Sequence, residues 1–562
     1  MAQPSPEMAQ KLIARHAALK AERAPWDAFW QEVGDYVMPR KADIMEQVSV
    51  PGTAKQQALF DSTAIRANNI LANGQLAWMT PHESRWFSFD APPELKGVDA
   101  VEQWFKRCTE IAHLEIARTN FYSEIHELYL DRGAFGTAAI FCDTGKRSAL
   151  RFETWNVGSY SIAEDDEGLI DTVSREYCLT LRQARQHFGE DALSEEMRKR
   201  LEEAKSDPKK LDEKWTFIHM IFPRDPAEID PTKADPENMP IASVYIDQKA
   251  KKVVRVSGFM ELPFFVTRFL KWGKSAYGWS PSWVALPESR QLNFLVKNMD
   301  ALAEVTAFPR LLVPHNYVGE VDTRAGGVTY FDPNNPNAMP KEWATGGRYD
   351  VGLDREDRKR KTIEDAYHVD LFQMFARNEK QMTATEIMER SAEKLIQFSP
   401  TFARMTTELF NPMLARVFSV LLRAGMFPPV PEAAVVMDET GAFLPEPKIS
   451  YSSRIAMSVR ALENNSFGRM VERLMPVAQM RPDILDNFDF DRIIRETARN
   501  DGVPADWIAD EEMVKRLRQA RAEAQAQQAQ MEQAQMAADA AAKVGGIKPE
   551  SAVGQVLGEA LG

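Results

Sequence analysis

Cysteine and histidine are scarce in this chain of 562 residues. It has three cysteines, Cys108, Cys142 and Cys178, and eight histidines. Neither type shows the spacing of a disulfide framework or of a zinc site. We therefore expect reduced, buried thiols in a reducing compartment, with no resident metal and no cofactor.

Long apolar runs are also missing. No stretch approaches the roughly 18 uninterrupted apolar residues that are needed to span a bilayer. The N-terminal sequence MAQPSPEMAQKL lacks the apolar core of a signal peptide. The sequence therefore predicts a soluble protein that is made in a cytoplasm and has no membrane partner.

Positive charge is in deficit, with 69 Lys and Arg against 82 Asp and Glu and a net charge of −13. This balance argues against a protein that coats nucleic acid over its whole surface, but it leaves room for a local basic element. Hydrophobic residues make up 44% and charged residues 27% of the chain, which is an ordinary globular balance. A chain of this length can form several domains or one elongated subunit.

Motifs for catalysis are incomplete or absent. The segment WGKSAYG contains the Gly-Lys-Ser of a phosphate-binding loop at 273–275, but the earlier glycine of that motif is replaced by Arg268. The acidic run at 164–167 could hold a divalent cation, although a turn before Gly168 explains it more simply. No H-E-x-x-H or G-x-S-x-G motif occurs. We expect no enzymatic activity.

Hydrophobic periodicity predicts an α+β chain that is mainly helical. In the first half, helices are predicted at 58–80 and 100–131, and short strands between 149 and 270. Residues 6–38 read as two helices, because Pro25 suits the first turn of the second.

From 282 onward the pattern changes to a helix, a Pro-, Gly- and Asn-rich insertion at 309–350 and a highly charged helix beginning near Asp354. A later apolar stripe predicts a helix that Pro400 and Pro412 should kink or break and that Gly425 should end. Residues 511–543 are rich in Ala, Gln and Glu and predict a polar helix.

A short polar loop lies between the charged helix and the apolar stripe, in the sequence FARNEKQMTATEIMER. Thr383 and Glu386 have the spacing of a capping box, which predicts that a helix begins there. The polar residues before this cap include two cations, and they are Arg377, Asn378, Lys380 and Gln381. Either a solvated connection between two helices or a loop that contacts nucleic acid would explain them.

Six segments, in this order, resemble the head-to-tail connecting (portal) proteins of short-tailed bacteriophages. They are FDSTAIRANNILANGQLAWMTPHESRWFSF, LYLDRGAFGTAAIF, SREYCLTLRQARQHFG, YGWSPSWVALPESRQLN, QMTATEIMERSAEKL and LFNPMLARVFSVLLRAGMFPP. The resemblance covers most of residues 10–430, whereas expectations beyond that point rest on pattern alone.

The resemblance implies a portal-type elongated subunit with wing, stem, clip and crown, in a homo-oligomeric ring that usually has twelve copies. It divides the chain into a wing at 1–280, a first stem helix at 281–308, a clip at 309–350, a second stem helix at 351–374, a tunnel loop at 375–383, a long wing helix at 384–425, a crown at 426–510 and a C-terminal helical extension at 511–562.

The resemblance also implies a function at one capsid vertex of the virion, after assembly in the host cytoplasm. Double-stranded DNA would pass through the ring during packaging and ejection, in contact with the tunnel-loop residues named above. The implied protein partners are the terminase motor, tail adaptor proteins, and the major capsid and scaffolding proteins. Clip residues expected to contact partners are Asn334, Asn335, Asn337, Lys341 and Trp343.

Two other classes of function stay open at this stage. A helical structural adaptor or scaffold protein of a phage particle would suit the Ala/Gln-rich tail, although a scaffold does not need a loop-rich insertion between two helices. An intracellular hydrolase with a diverged site is the other class, and the incomplete motifs argue against it.

Overall fold

A computed structural model describes most of the chain. The described residues are 6–45, 59–145, 148–229, 235–308, 349–373, 398–438, 441–452, 488–500 and 511–545, with short stretches between 310 and 342 and the single residues 233, 470, 507 and 509. Contacts divide the chain into two compact units, Met1–Val459 and Arg460–Gly562.

Helices dominate the described residues of both units, which confirms the predicted α+β, mainly helical fold class. Those of the first unit are α1 Pro6–Val37, α2 Thr63–Met79, α3 Asp99–Arg118, α4 Phe121–Phe135, α5 Leu181–Phe188, α6 Glu195–Glu203, α7 Ser282–Ala307, α8 Tyr349–Ala366, α9 Val369–Gln373 and α10 Asn411–Arg423. Residues 398–405 are also helical and join α10 through a π turn at Thr406–Phe410. The second unit contains α11 Phe490–Asn500 and α12 Glu511–Gly545, the predicted polar helix.

Fourteen strands are present in the described part of the chain. They are β1 Phe87–Asp90, β2 Thr137–Asp143, β3 Arg151–Trp155, β4 Tyr160–Glu164, β5 Ile170–Thr180, β6 Lys214–Pro223, β7 Ile241–Asp247, β8 Lys252–Phe259, β9 Phe264–Arg268, β10 Leu311–Leu312, β11 Lys341–Glu342, β12 Val436–Asp438, β13 Gly441–Phe443 and β14 Lys448–Tyr451. The strands β4 to β8 form an antiparallel sheet in sequence order, and a second sheet has the order β3-β2-β9. In addition, β14 pairs with β1, so the predicted crown at 426–510 begins within the first unit.

The predicted break in the first helix is wrong, because α1 is continuous and contains Pro25. Its first half packs on one face of the five-stranded sheet, where Leu12 contacts a small apolar core. Its second half enters the main core, where Trp30 is fully buried and its indole Nε1 donates to the Phe135 carbonyl at 2.9 Å. An interior proline removes one helical hydrogen bond, and the packing of both halves offsets that loss.

The predicted helix at 100–131 is instead two helices, α3 and α4, separated by Thr119 and Asn120. The Asn120 side chain explains the break, because it hydrogen-bonds the backbone of β3. Its Nδ2 donates to the Phe152 carbonyl at 2.7 Å, and its Oδ1 accepts from the Phe152 amide at 3.1 Å. Asn readily makes such side-chain-to-backbone bonds, which compete with helix.

The apolar stripe after residue 398 forms a helix that neither described proline breaks. Pro412 lies two residues after the end of the π turn, in which the Asn411 amide donates to the Thr406 carbonyl. A π turn widens the helix locally, and so the ring of Pro412 is accommodated without a break. The prediction for Gly425 is confirmed: it has φ +67° just after the helix, and the amides of Gly425 and Met426 donate to Leu422 and Leu421, as in a Schellman cap.

Candidate functional site

The α7–α8 hairpin brackets the predicted clip, and its two ends meet at the main core. The Ser282 hydroxyl, in the first turn of α7, donates to the Ala134 carbonyl at 2.6 Å. It is also 2.8 Å from the Tyr367 hydroxyl, which follows the end of α8. Both side chains are fully buried. The base of the hairpin is therefore fixed to α4 and closed on itself.

A close backbone contact lies beside this base. Gly136 follows α4 with φ +79°, and a Cβ atom added there would lie 2.5 Å from the Gly278 carbonyl oxygen. The Gly136 carbonyl accepts from the Phe269 amide at 2.8 Å, and the Gly278 amide donates to the Thr137 hydroxyl at 2.8 Å. Glycine is needed where two backbones approach so closely. These contacts join α4 and β2 to the loop that enters α7.

Further along the hairpin, α8 is held to α7 by polar and steric contacts. Lys359 Nζ is 2.7 Å from both Glu288 Oε2 and Gln291 Oε1. Nearer the tip, Gly352 packs so tightly on Met299 that an added Cβ would lie 2.2 Å from its sulfur. We infer a rigid two-helix support for the insertion at 309–350.

Only part of the predicted clip lies in the described residues. The short strands β10 and β11 pair antiparallel, so the insertion is closed at its root. Asn334 and Lys341 are exposed, as a partner-contact role requires. The other three residues predicted to contact partners, Asn335, Asn337 and Trp343, lie outside the described residues.

The second predicted stem helix is interrupted. It was expected to span 351–374, but α8 ends at Ala366 and α9 begins at Val369. His368, between them, has φ +54°, a left-handed conformation that ends a helix. The predicted single helix is therefore divided into two before the predicted tunnel loop begins.

The predicted tunnel loop lies within segment 374–397, which is outside the described residues. The same holds for each residue singled out there, namely Arg377, Asn378, Lys380, Gln381, Thr383 and Glu386. The structure does describe both ends of the segment: the rings of Phe372 and Phe398 are 5.8 Å apart. The two described ends of the segment therefore lie next to each other.

The helix that follows this segment is fixed by a buried ion cluster which sequence reasoning missed. Arg268 in β9 is 1% exposed, and its Nη2 lies 2.7 Å from Glu408 Oε1 in the π turn. The Arg268 guanidinium also contacts Glu164, which Lys271 contacts at 2.6 Å. In the sequence, Arg268 occupies the position where a phosphate-binding loop would need glycine, and no local pattern indicates its ion pairs.

A second buried arginine contacts the start of the same helix. Arg132 Nη2 donates to the Thr401 and Arg268 carbonyls at 3.3 Å, and its guanidinium lies 4.8 Å from the centre of the Phe269 ring. Burial lowers the pKa of Arg132 to about 9. Together with the Arg268 cluster, it links the main core to the start of the described helix at residue 398.

The acidic run forms a turn, as its simpler interpretation predicted. Asp165 Oδ1 accepts from the Leu169 amide at 2.8 Å, and Gly168 has φ +82°. Glu164 is neutralised by Arg268 and Lys271. In the described part of the chain, no three His, Cys, Asp or Glu side chains are grouped as metal ligands would be. Nor does any described helix have the length and apolar character to cross a bilayer.

Comparison with known proteins identifies the family. A family model described as "Bacteriophage head to tail connecting protein" matches residues 9–508. The chain belongs to this family. The match extends past residue 430, where the resemblance of individual segments ended.

Two curated relatives are similar to nearly the whole chain. The "Probable portal protein" of Bordetella phage BPP-1 is 31% identical over 549 residues, or 95% of each chain. The "Portal protein" of Salmonella phage epsilon15 is 28% identical over 530 residues, or 92% of each chain. The chain is thus similar to portal proteins over both of its compact units.

Proposed function

We propose that this protein is a portal, a ring of identical subunits at one capsid vertex through which double-stranded DNA enters during packaging and leaves during ejection. The observation that carries the proposal is the match to the connector family over 9–508, with two curated portal proteins aligned over more than nine-tenths of the chain. The protein would be a virion component that assembles in the host cytoplasm.

The arrangement of helices supports a ring of subunits. One side of α7 carries Pro287, Phe294 and Ala301, which recur at seven-residue spacing and are all exposed in the single subunit. Phe294 is 69% exposed. We assign α7 and α8 to the stem, so that this side of α7 faces a neighbouring copy.

The other assignments follow the connector-family plan. Residues 1–280 would be the wing, 309–350 the clip, 375–383 the tunnel loop, 426–510 the crown and 511–562 an extension of it. The clip would contact the terminase motor during packaging and tail adaptor proteins afterwards, since loops on rigid helices carry recognition. Major capsid and scaffolding proteins would contact the ring during assembly. Catalysis is not part of this role, because the motor would supply the energy.

The ends of segment 374–397 support the tunnel-loop assignment. Phe372 and Phe398 are in contact, so the described residues on either side of the segment lie together, as the two ends of a loop do. Each subunit has a net charge of −13, so a ring is acidic overall and DNA would not adhere to it broadly. Cations repeated at one level of the ring could contact phosphates without reading sequence.

Replacing both Arg377 and Lys380 by alanine tests the DNA contact. Rings should form in normal yield, because neither the Arg268 cluster nor the predicted cap at Thr383 is altered. The amount of DNA packaged or retained per particle should change, because two phosphate contacts per subunit are lost. Quantitative PCR of nuclease-protected genomes measures this.

Thr383→Ala is the matched control for this loop. It should cost roughly 0.5–2 kcal/mol of helix stability and so reduce ring yield without a specific change in DNA retained per assembled particle. If the Arg377 and Lys380 double variant packages and retains DNA like the parent, then the loop is a solvated connection and its cations have no role in the channel.

A further inference from the structure

Lys41 lies against two carboxyl groups of α4 that are one helical turn apart. Its Nζ is 2.6 Å from Asp131 Oδ1, 2.8 Å from Asp131 Oδ2 and 3.1 Å from Glu127 Oε2. The Asp131 side chain is 1% exposed, whereas those of Lys41 and Glu127 are 19% and 33% exposed. A primary amine is thus held in contact with a buried carboxyl group, and a second, less buried carboxylate lies beside it.

The backbone around Lys41 is fixed, so this encounter is maintained. The Gln31 side chain in α1 donates to the Ala42 carbonyl at 2.5 Å and accepts from the Ile44 amide at 3.2 Å. Gly34 packs so closely on Ala42 that an added Cβ would lie 2.9 Å from the Ala42 Cα. Two groups that are held in contact can react far faster than the same groups free in solution.

The two carboxyl groups differ in their tendency to be protonated. Burial raises the pKa of Asp131 to about 6, although Lys41 opposes this shift. Burial acts on Glu127 as well, but Lys41 and Arg40 together hold the pKa of Glu127 below its usual range. Arg40 Nη2 contacts both carboxylate oxygens of Glu127, at 3.0 and 3.1 Å. Neighbouring carboxyl groups whose environments separate their pKa values can divide the roles of acid and base.

We propose that Lys41 and Asp131 become joined by an isopeptide bond, with Glu127 as the catalytic base. Glu127 takes a proton from the Lys41 ammonium group, and the neutral amine then attacks Cγ of the protonated Asp131 carboxyl group. Glu127 gives its proton to the departing hydroxyl group as the Cγ–O bond breaks, and it takes the second proton of the nitrogen. One amide bond forms and one water molecule leaves. Glu127 finally releases a proton to solvent, so atoms and charge balance.

A covalent link at this position has a structural consequence. Residues 41 and 131 are 90 positions apart, so the bond closes a loop that contains α2, α3 and most of α4. A cross-link of this kind stabilises a protein mainly by restricting the unfolded chain, and its effect grows with the size of the loop. The amide also removes a buried charge, and an uncharged replacement is often at least as stable as a buried ion pair.

Mass spectrometry of the purified full-length protein tests the bond directly. The parent should be lighter than its sequence predicts by one water molecule, whereas Lys41→Arg should have its predicted mass. After digestion with trypsin, residues 41–55 and 119–132 should be recovered as one linked peptide, with the link between Lys41 and Asp131. A parent of full mass, with the two segments recovered separately, would overturn the proposal. A link to Glu127 instead would show that the two carboxyl groups are assigned wrongly.

Two variants distinguish the bond from an ordinary ion pair. Lys41→Arg keeps the positive charge but lacks the primary amine, so it should contain no link and should unfold at a lower temperature than the parent. Glu127→Gln keeps the contact between Lys41 and Asp131 but removes the base. In a time course after cell-free synthesis, its link should form about a hundredfold more slowly or less. Formation at the rate of the parent would rule out Glu127 as the base. Thermal unfolding verifies the fold of each variant.

An exposed ion pair elsewhere in the chain is the internal control. Lys249 Nζ lies 2.5 Å from Glu196 Oε1, but these side chains are 67% and 47% exposed. Water keeps such an amine and carboxylate charged, so this pair should remain unlinked in the same digests. A link at Lys249 as well as at Lys41 would indicate a non-specific reaction and would contradict a site built around Asp131.

Discussion

Gly136→Ala should leave almost no folded subunit at physiological temperature. The residue has φ +79°, and the new Cβ would lie 2.5 Å from the Gly278 carbonyl oxygen and 2.6 Å from the Trp279 carbonyl carbon. Both neighbours are backbone atoms. The clash can therefore be relieved only if Gly136 moves away from the Gly278–Trp279 backbone, in the loop that enters α7. We expect the free energy of unfolding to fall by at least about 4 kcal/mol, which is an exceptionally large loss for a single substitution. Soluble yield and thermal unfolding of the purified subunit measure it.

Gly97→Ala is the matched control for Gly136. Gly97 also has a positive φ, +93°, but an added Cβ there would meet nothing within 4 Å. Gly97→Ala should therefore lower the free energy of unfolding only through the unfavourable backbone conformation, by about 1–3 kcal/mol. Equal losses at Gly97 and Gly136 would mean that the close approach to Gly278 does not matter for stability.

The second large effect is expected at the buried ion cluster. Arg268→Met removes the guanidinium from the Glu408 carboxylate, whose side chain is 7% exposed, and leaves it the backbone amide of residue 268 at 2.8 Å and the more distant Arg404 at 3.4 Å. Removal of one partner from a buried pair typically costs about 3–5 kcal/mol, because the other charge is left uncompensated. Thermal or denaturant unfolding of the purified subunit should show a loss of this size.

A double substitution makes this prediction specific to the ion pair. Arg268→Met combined with Glu408→Met removes both charges and replaces them with apolar side chains of similar length. Such replacements are often neutral or stabilising, so the double variant should be more stable than Arg268→Met alone. Additive losses would show that Arg268 contributes through packing and not through its pairing with Glu408.

The sequence predicted most elements whose signal is local. Examples are α2 at Thr63–Met79, α7 at Ser282–Ala307 and the strands β6 to β8. Each of these elements has a hydrophobic period, or a residue at its boundary, that lies within the same segment of the sequence. The Gly425 cap was predictable for the same reason, because a positive φ after a helix favours glycine.

The failures arose where a distant partner decides the local structure. Pro25 reads as a helix start, but packing of α1 on two separate cores keeps it inside one helix. Asn120 ends α3 because of bonds to Phe152, which lies 32 residues away. Similarly, the π turn places Glu408 against Arg268, 140 residues earlier in the chain. Periodicity within one segment contains no information about such contacts.

The candidate site was predicted unevenly. The insertion between two helices and its exposed Lys341 followed from composition and from family resemblance. The contact between the hydroxyls of Ser282 and Tyr367 could not be predicted, because a buried pair of hydroxyl groups has no recognisable sequence pattern.

Electron microscopy of the purified protein tests the central claim most directly. If the chain is a portal, class averages should show closed rings with a central channel, and native mass spectrometry should give one dominant assembly near twelve subunits of 63.6 kDa. A neighbouring ring size would still agree with the claim. Monomers, dimers or open filaments as the dominant species at micromolar concentration, with no ring, would contradict it.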